Sequence, residues 1–215
     1  MDKKSNPRKR RRKKTSGAPR SRRKARRRAT RKQLTLGELS GAGWVNRFPG
    51  SQSTADLASP FRSAVEAFIG AMTVGGARVR VTSTFRPPER AYLMHFAWKI
   101  AKNNIDDNDA PRMPGVDINW VHPTRDESVA AAQEMVDGYQ MVQVAALNGR
   151  HTEGRAIDMS IEWSGSLILL SNDGQRETIS TRPRSGNNTR LHAVGATYGV
   201  RKLVSDPPHW SEDGH

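Results

Sequence analysis

The chain contains no cysteine, so disulfides and thiolate metal sites are excluded outright. No apolar run approaches the roughly 18 residues of a membrane span. The charged N-terminus has no apolar core behind it and lacks the pattern of a secretory signal. Residues 1–33 contain no aromatic side chain to stack on a nucleobase, which argues against sequence-specific reading of nucleic acid by that stretch. Acidic residues are nearly missing there too: Asp2 stands alone against 18 Lys and Arg.

What is present is a sharply uneven charge. The chain has 36 Lys and Arg and 21 Asp and Glu over 215 residues. Subtracting the first 33 residues leaves 18 basic and 20 acidic ones, so the first segment carries +17 and the rest −2. A run of that density cannot bury enough apolar surface to offset its ordering entropy, and its charges repel one another. It predicts a disordered polybasic tail over 1–33 that binds anionic polymers: nucleic acid, lipopolysaccharide, anionic lipid or teichoic acid. Residues 34–58 form a transition in which Leu34, Leu36, Leu39, Trp44, Val45 and Phe48 are expected to pack onto the domain that follows.

Residues 59–215 carry the periodicities of a folded domain. Phe61, Val65, Phe68, Ile69 and Met72 recur on one helical face behind Ser59-Pro60, and Gly75-Gly76 ends that element. Alternation predicts a strand over 77–84. Pro87-Pro88-Glu89 opens a second helix with Leu93, Phe96, Ala97 and Ile100 inward. Residues 103–124 read as a long loop, and 126–142 as a third helix. A strand over 156–163 is expected to turn at Ser164-Gly165 and pair with 167–170 as a hairpin. A short helix over 189–198 and a last strand over 201–205 lead into Asp206-Pro-Pro-His209-Trp210. Helices first and strands last predict an α+β domain, with helices packed on a small antiparallel sheet.

Three places carry chemistry. The first is His151-Thr-Glu-Gly154-Arg-Ala156-Ile-Asp158, the second Asp206-Pro-Pro-His209-Trp210, and the third Ser83-Thr-Phe-Arg86 at a strand end. Zinc hydrolysis needs neutral imidazole and carboxylate donors, usually three, with a fourth position left open. His151 in a loop, Asp158 on the strand it leads into and His209 on another strand would supply them. Gly154 permits the tight turn that brings His151 back beside Asp158. A bound water then needs a base, and Asp206, stiffened against His209 by two prolines, suits that role. Arg86 can stabilise the developing oxyanion or clamp a substrate carboxylate.

These residues resemble the M15 family of zinc peptidases, the D-Ala-D-Ala carboxypeptidase and dipeptidase group, which includes phage endolysins cutting L-alanyl-D-glutamate bonds. His151, Gly154, Ala156 and Asp158 match its first motif, Asp206, His209 and Trp210 its second, and Ser83 and Arg86 its third. Gly149 stands where the family often has Ser, and Asp206 where many carboxypeptidases have Glu. The resemblance implies one zinc per chain on His151, Asp158 and His209, Asp206 as general acid/base, and Arg86, Ser83 and Trp210 at the substrate. It implies peptidoglycan stem peptides as substrate, and a monomer acting at the bacterial cell wall or periplasm as a phage lysin, virion component or secreted effector. The alternative is an inactive peptidase-like domain in a polyanion-binding protein. His95, His122, His192 and His215 have no such neighbours and read as packed or solvated. Glu153, two residues after His151, is expected to point outward.

The tail makes a direct prediction. Binding of the full chain to a nucleic-acid duplex should weaken steeply with salt in a gel-shift titration, and a chain starting at residue 34 should lose that binding. Unchanged binding after the deletion would remove the tail from this role.

Overall fold

The computed structural model of the chain describes residues 37–215. The tail over 1–33, with Leu34 and Leu36, lies outside the described residues. Gly37–His215 form one compact unit, so the rest of the expected transition segment belongs to the domain itself. Among the described residues the domain is α+β, with four helices and small sheets. No described helix is long and apolar enough to cross a membrane.

The central sheet has the order β2-β4-β8-β7 and is antiparallel throughout. Its strands are β2 (Arg78–Ser83), β4 (Ala156–Glu162), β7 (Arg201–Lys202) and β8 (His209–Ser211). Side chains alternate along a strand, and β4 shows the consequence. Ile157, Met159 and Ile161 are buried, while Asp158, Ser160 and Glu162 lie on the more open face. The buried face packs on helix α1 (Phe61–Val74), whose Phe61, Val65, Phe68 and Met72 are the inward residues read from the periodicity. Helix α4 (Thr189–Thr197) contributes Leu191 and Val194 to the same core.

Helices α2 (Pro88–Ala101) and α3 (Arg125–Gly138) pack on each other around a second core. Trp44 and Trp120 are buried in it. Thr124 and Glu127 close a reciprocal capping box at the start of α3. The helix stops at Gly138, short of the expected 142, because Tyr139 caps it and Gln140 takes a left-handed φ of 54°. Val142, beyond it, is exposed.

Two strand expectations are corrected. Strand β5 (Leu167–Leu170) does not pair with β4 across Ser164-Gly165; it pairs with β6 (Arg176–Ile179) in a separate hairpin whose turn is Asn172-Asp173-Gly174. Leu167 and Leu169 turn inward to the main core, which draws the hairpin off the sheet. The expected strand over 201–205 shrinks to β7, Arg201–Lys202, which pairs with a separate strand β8 at His209–Ser211, and Asp206 lies in the turn between them. Within the long loop, β3 (Ile118–Asn119) pairs parallel with β1 (Glu38–Leu39), fastening the N-terminal segment to the domain.

Candidate metal centre

Asp158 and His209 are direct register partners on β4 and β8, so their side chains share a face of the sheet. His151 reaches the same face from the loop before β4. That loop turns at Gly154, whose φ is +67°. A Cβ there would lie 3.0 Å from the backbone nitrogen of Ala58, which donates to the Gly154 carbonyl at 2.9 Å. Glycine is therefore required both by conformation and by the close approach. Gly149 carries no side chain to brace the loop, but Thr152 does so in its place, its hydroxyl donating to the Gly149 carbonyl at 2.7 Å.

The imidazole Nε2 of His151, the Nδ1 of His209 and Oδ1 of Asp158 form a triangle with all three edges at 3.2 Å. Both histidines are buried and Asp158 is half-buried, 18% of its side chain being exposed. Among the described residues this is the one group that could hold a metal ion.

The outer hydrogen bonds decide what the inner atoms present. His151 Nδ1 lies 2.6 Å from the Thr84 carbonyl oxygen. His209 Nε2 lies 3.2 Å from the backbone oxygen of His215. A carbonyl only accepts, so each of these nitrogens carries the proton, and in the neutral ring the opposite nitrogen bears a lone pair. Three lone pairs therefore meet with no proton of their own between them, an arrangement that calls for a cation. Burial alone pushes the Asp158 carboxyl up. In the metal-free protein, donation and positive charge from His151 and His209, which require both rings to carry a proton where a cation would otherwise sit, outweigh that and hold it well below its ordinary 3.8.

The remaining expected residues fall around this triangle unequally. Arg86 follows β2, and its backbone N–H donates to the His151 carbonyl at 3.0 Å, tying the two motifs together. Its guanidinium makes no hydrogen bond to a described residue. Burial lowers its pKa, while the charges of Asp158 and Asp206 raise it and that of Arg90 lowers it, which places all three charges close by. Asp206 is half-buried in the β7–β8 turn, is no part of the triangle, and feels the charges of both Arg86 and Lys202. Ser83 lies opposite Asp158 at an irregularity in the β2–β4 ladder.

Trp210 is a correction. It is fully buried on the opposite face from His209, with its ring 5.5 Å from those of Phe68 and His192. It is a core residue and does not reach a substrate. Glu153 points outward as expected, paired with Arg150 at 2.6 Å.

Two contributors were not foreseen. One is the Thr84 carbonyl, a backbone atom with no signature in side-chain motifs. The other is Lys202, whose ammonium donates to the carbonyls of Leu203 and Asp206, both at 2.5 Å, and of His209 at 2.9 Å. All three of its donors hold the turn that carries Asp206 and His209, so Lys202 sets where both point. Its spacing, four residues before Asp206, was the available signal, but a lone lysine in a short strand reads as solvated.

No family model matches the chain, and no curated protein matches it. What the site can do therefore follows from its own donor atoms.

The depressed carboxyls imply a pH dependence. Asp213 is held down to about 2, first by its hydrogen bond from Arg150, and Asp158 is lowered by the two histidines. A carboxyl lowered on folding contributes stability that is present above its unfolded value and lost as pH falls through the folded one. Metal-free protein should therefore show a falling melting temperature between about pH 4 and pH 2. Arg150→Met should remove the Asp213 share of that fall. A flat profile over the range would contradict both assignments.

Proposed function

We propose that the chain is a zinc-dependent peptidase that hydrolyses an amide bond in the stem peptides of bacterial peptidoglycan. The triangle of converging lone pairs carries the metal part of this reading. In a tetrahedral shell two donors are separated by about 1.6 times the metal–donor distance, so edges of 3.2 Å correspond to about 2.0 Å, as zinc takes with imidazole nitrogen and carboxylate oxygen. Two nitrogens and one oxygen from the protein also leave a fourth position open, the pattern of catalytic rather than structural zinc. The peptide and cell-wall part rests on the likeness of the three motifs to M15 peptidases.

Zinc held there lowers the pKa of a water ligand to about 7 and polarises a substrate carbonyl. The chain's own residues do the rest. Asp206, outside the ligand triangle yet held in the turn that leads into His209, accepts a proton from the attacking water on its carboxylate and returns it to the leaving amine. Lys202 fixes the turn that carries Asp206 through the backbone carbonyls of Leu203, Asp206 and His209. The Arg86 guanidinium has no hydrogen-bond partner among the described residues, so its donors are available to an oxyanion or a terminal carboxylate of the substrate. Residues 1–33 would hold the enzyme at an anionic envelope.

The 18 basic residues of that tail favour a second reading, in which an inactive domain of this kind serves a polyanion-binding protein. The two readings separate on the metal and on wall cleavage. Purified full-length protein should contain about one zinc per chain and release peptides from purified cell walls until a chelator is added. Asp206→Ala should keep its zinc and lose about 10²–10⁴ in rate. Asp158→Ala should lose zinc as well. Loss of metal from the Asp206 variant, or full activity without metal, would contradict the assignment; zinc binding with no cleavage of any wall would favour the second reading.

A further inference from the structure

A groove of about 340 Å³ lies on the open face of the sheet beside the metal centre. Arg80, Thr82, Ser160, Asn187, Pro207 and Pro208 line it. Pro208 directly precedes His209. Ser160 is two positions along β4 from Asp158, so both side chains face the same way. Arg80 is the register partner of Ser160 on β2 and shares that face.

The main chain beneath is closed to a ligand. Met159 N–H donates to the Pro208 carbonyl at 2.8 Å, and Gly186 N–H donates to the Ile161 carbonyl at 3.1 Å. Glu162 bridges to Ser185, and Trp163 N–H donates to the Arg184 carbonyl at 3.4 Å. At this level β4 therefore has β2 along one edge and these two segments along the other. Whatever the groove holds is recognised by side chains, over the face of the sheet.

Those side chains are polar and unengaged. The Arg80 guanidinium, the Ser160 hydroxyl and the Asn187 carboxamide make no hydrogen bond to a described residue. Thr82, by contrast, donates to the Asp158 carbonyl at 3.2 Å. Arg80 is the one charged residue that lines the groove, and it has no carboxylate partner among the described residues, whereas Arg78 is paired with Glu162 at 3.7 Å. A carboxylate accepts from all three free groups: bidentately from the guanidinium, and singly from the hydroxyl and the carboxamide. A cation would meet Arg80 with no acid in the groove to offset it. The rung of Asp158 on β2 is Ser83; Arg80 precedes that rung in the chain and Arg86 follows it. Arg80 thus serves a part of the substrate that Arg86 does not.

We propose that this groove is a subsite for a carboxylate of the substrate, held by Arg80 with Ser160 and Asn187. Side chains on one face of a strand repeat about every 6.6 Å and an extended residue spans about 3.5 Å, so the carboxylate lies about one to three residues from the amide bond at the metal. The proposal deepens the peptidase reading and rests on it for the bond that is cut, but the binding itself requires no metal. Arg80 is then a specificity-determining residue, distinct from Arg86 at the metal centre. An acidic side chain and a chain terminus both supply a carboxylate, and the choice of probes separates them.

The test uses isotopically labelled full-length protein carrying Asp206→Ala, so that bound peptide is not hydrolysed. NMR follows its backbone amide and arginine Nε–H signals, with and without zinc. The probes are acetyl-Ala-Ala-Glu-Ala-Ala-amide, the same peptide with Gln or Lys in place of Glu, and acetyl-Ala-Ala-Ala with its end free or amidated. A carboxylate probe should bind about threefold to fivefold more tightly than its neutral counterpart, shift the signals of Arg80, Ser160 and Asn187, and lose that advantage as salt is raised. Preference for the Glu peptide assigns the carboxylate to a side chain, and preference for the free end assigns it to a terminus. Arg80 is exposed, so substituting it should leave the free protein folded. Arg80→Gln should abolish the preference, and Arg80→Glu should turn it toward the Lys peptide, an inversion that a merely structural role does not produce. Equal binding of charged and neutral probes, shifts confined to another part of the surface, or a preference that survives Arg80→Gln would overturn the proposal. Carboxylate binding by a protein that takes up no zinc would sink the peptidase reading and leave the groove standing. Zinc uptake and cleavage of cell walls, with all peptides bound equally, would do the reverse.

Discussion

Three lone pairs held within 3.2 Å of one another are unfavourable without a cation, and the structure nonetheless brings them together. Nothing about His151, Asp158 or His209 alone requires this. It follows from two backbone oxygens, of Thr84 and His215, that take the outer protons of the imidazoles and turn their unprotonated nitrogens inward. The cost of that convergence is carried by a rigid frame: a paired register between β4 and β8, a main core behind them, and a loop locked at Gly154.

The frame also separates roles. Alternation along β4 sends Ile157, Met159 and Ile161 into the core and Asp158 and Ser160 toward the open face. Alternation along β8 sends Trp210 inward against Phe68 and His209 outward. One strand pair therefore builds core and site from neighbouring residues, and a shift of one residue in register would exchange them. Proline at 208 stiffens the turn that carries Asp206, and its carbonyl accepts from Met159 N–H, which fastens that turn to β4.

Much of this was legible in the residues. The apolar stripe of Phe61, Val65, Phe68 and Met72 named the helix behind the sheet, and the spacing of His151, Gly154 and Asp158 named the loop that folds back on its own strand. Strand partners were less legible. Alternation places side chains on faces but does not say which strand lies alongside, so the hairpin expected between β4 and β5 was drawn instead to β6 by the burial of Leu167 and Leu169. Trp210 matched a motif and so looked functional, when its neighbours in space make it core. Thr84 and Lys202 act through backbone carbonyls, which a sequence presents identically at every position.

The tautomers of His151 and His209 test the central claim most directly. Long-range proton–nitrogen correlation spectra of the labelled full-length protein, with and without zinc, report which ring nitrogen of each carries hydrogen. The outer hydrogen bonds predict His151 protonated at Nδ1 with Nε2 responding to zinc, and His209 protonated at Nε2 with Nδ1 responding. Either ring found in the opposite form, or neither nitrogen responding to zinc, would contradict the account.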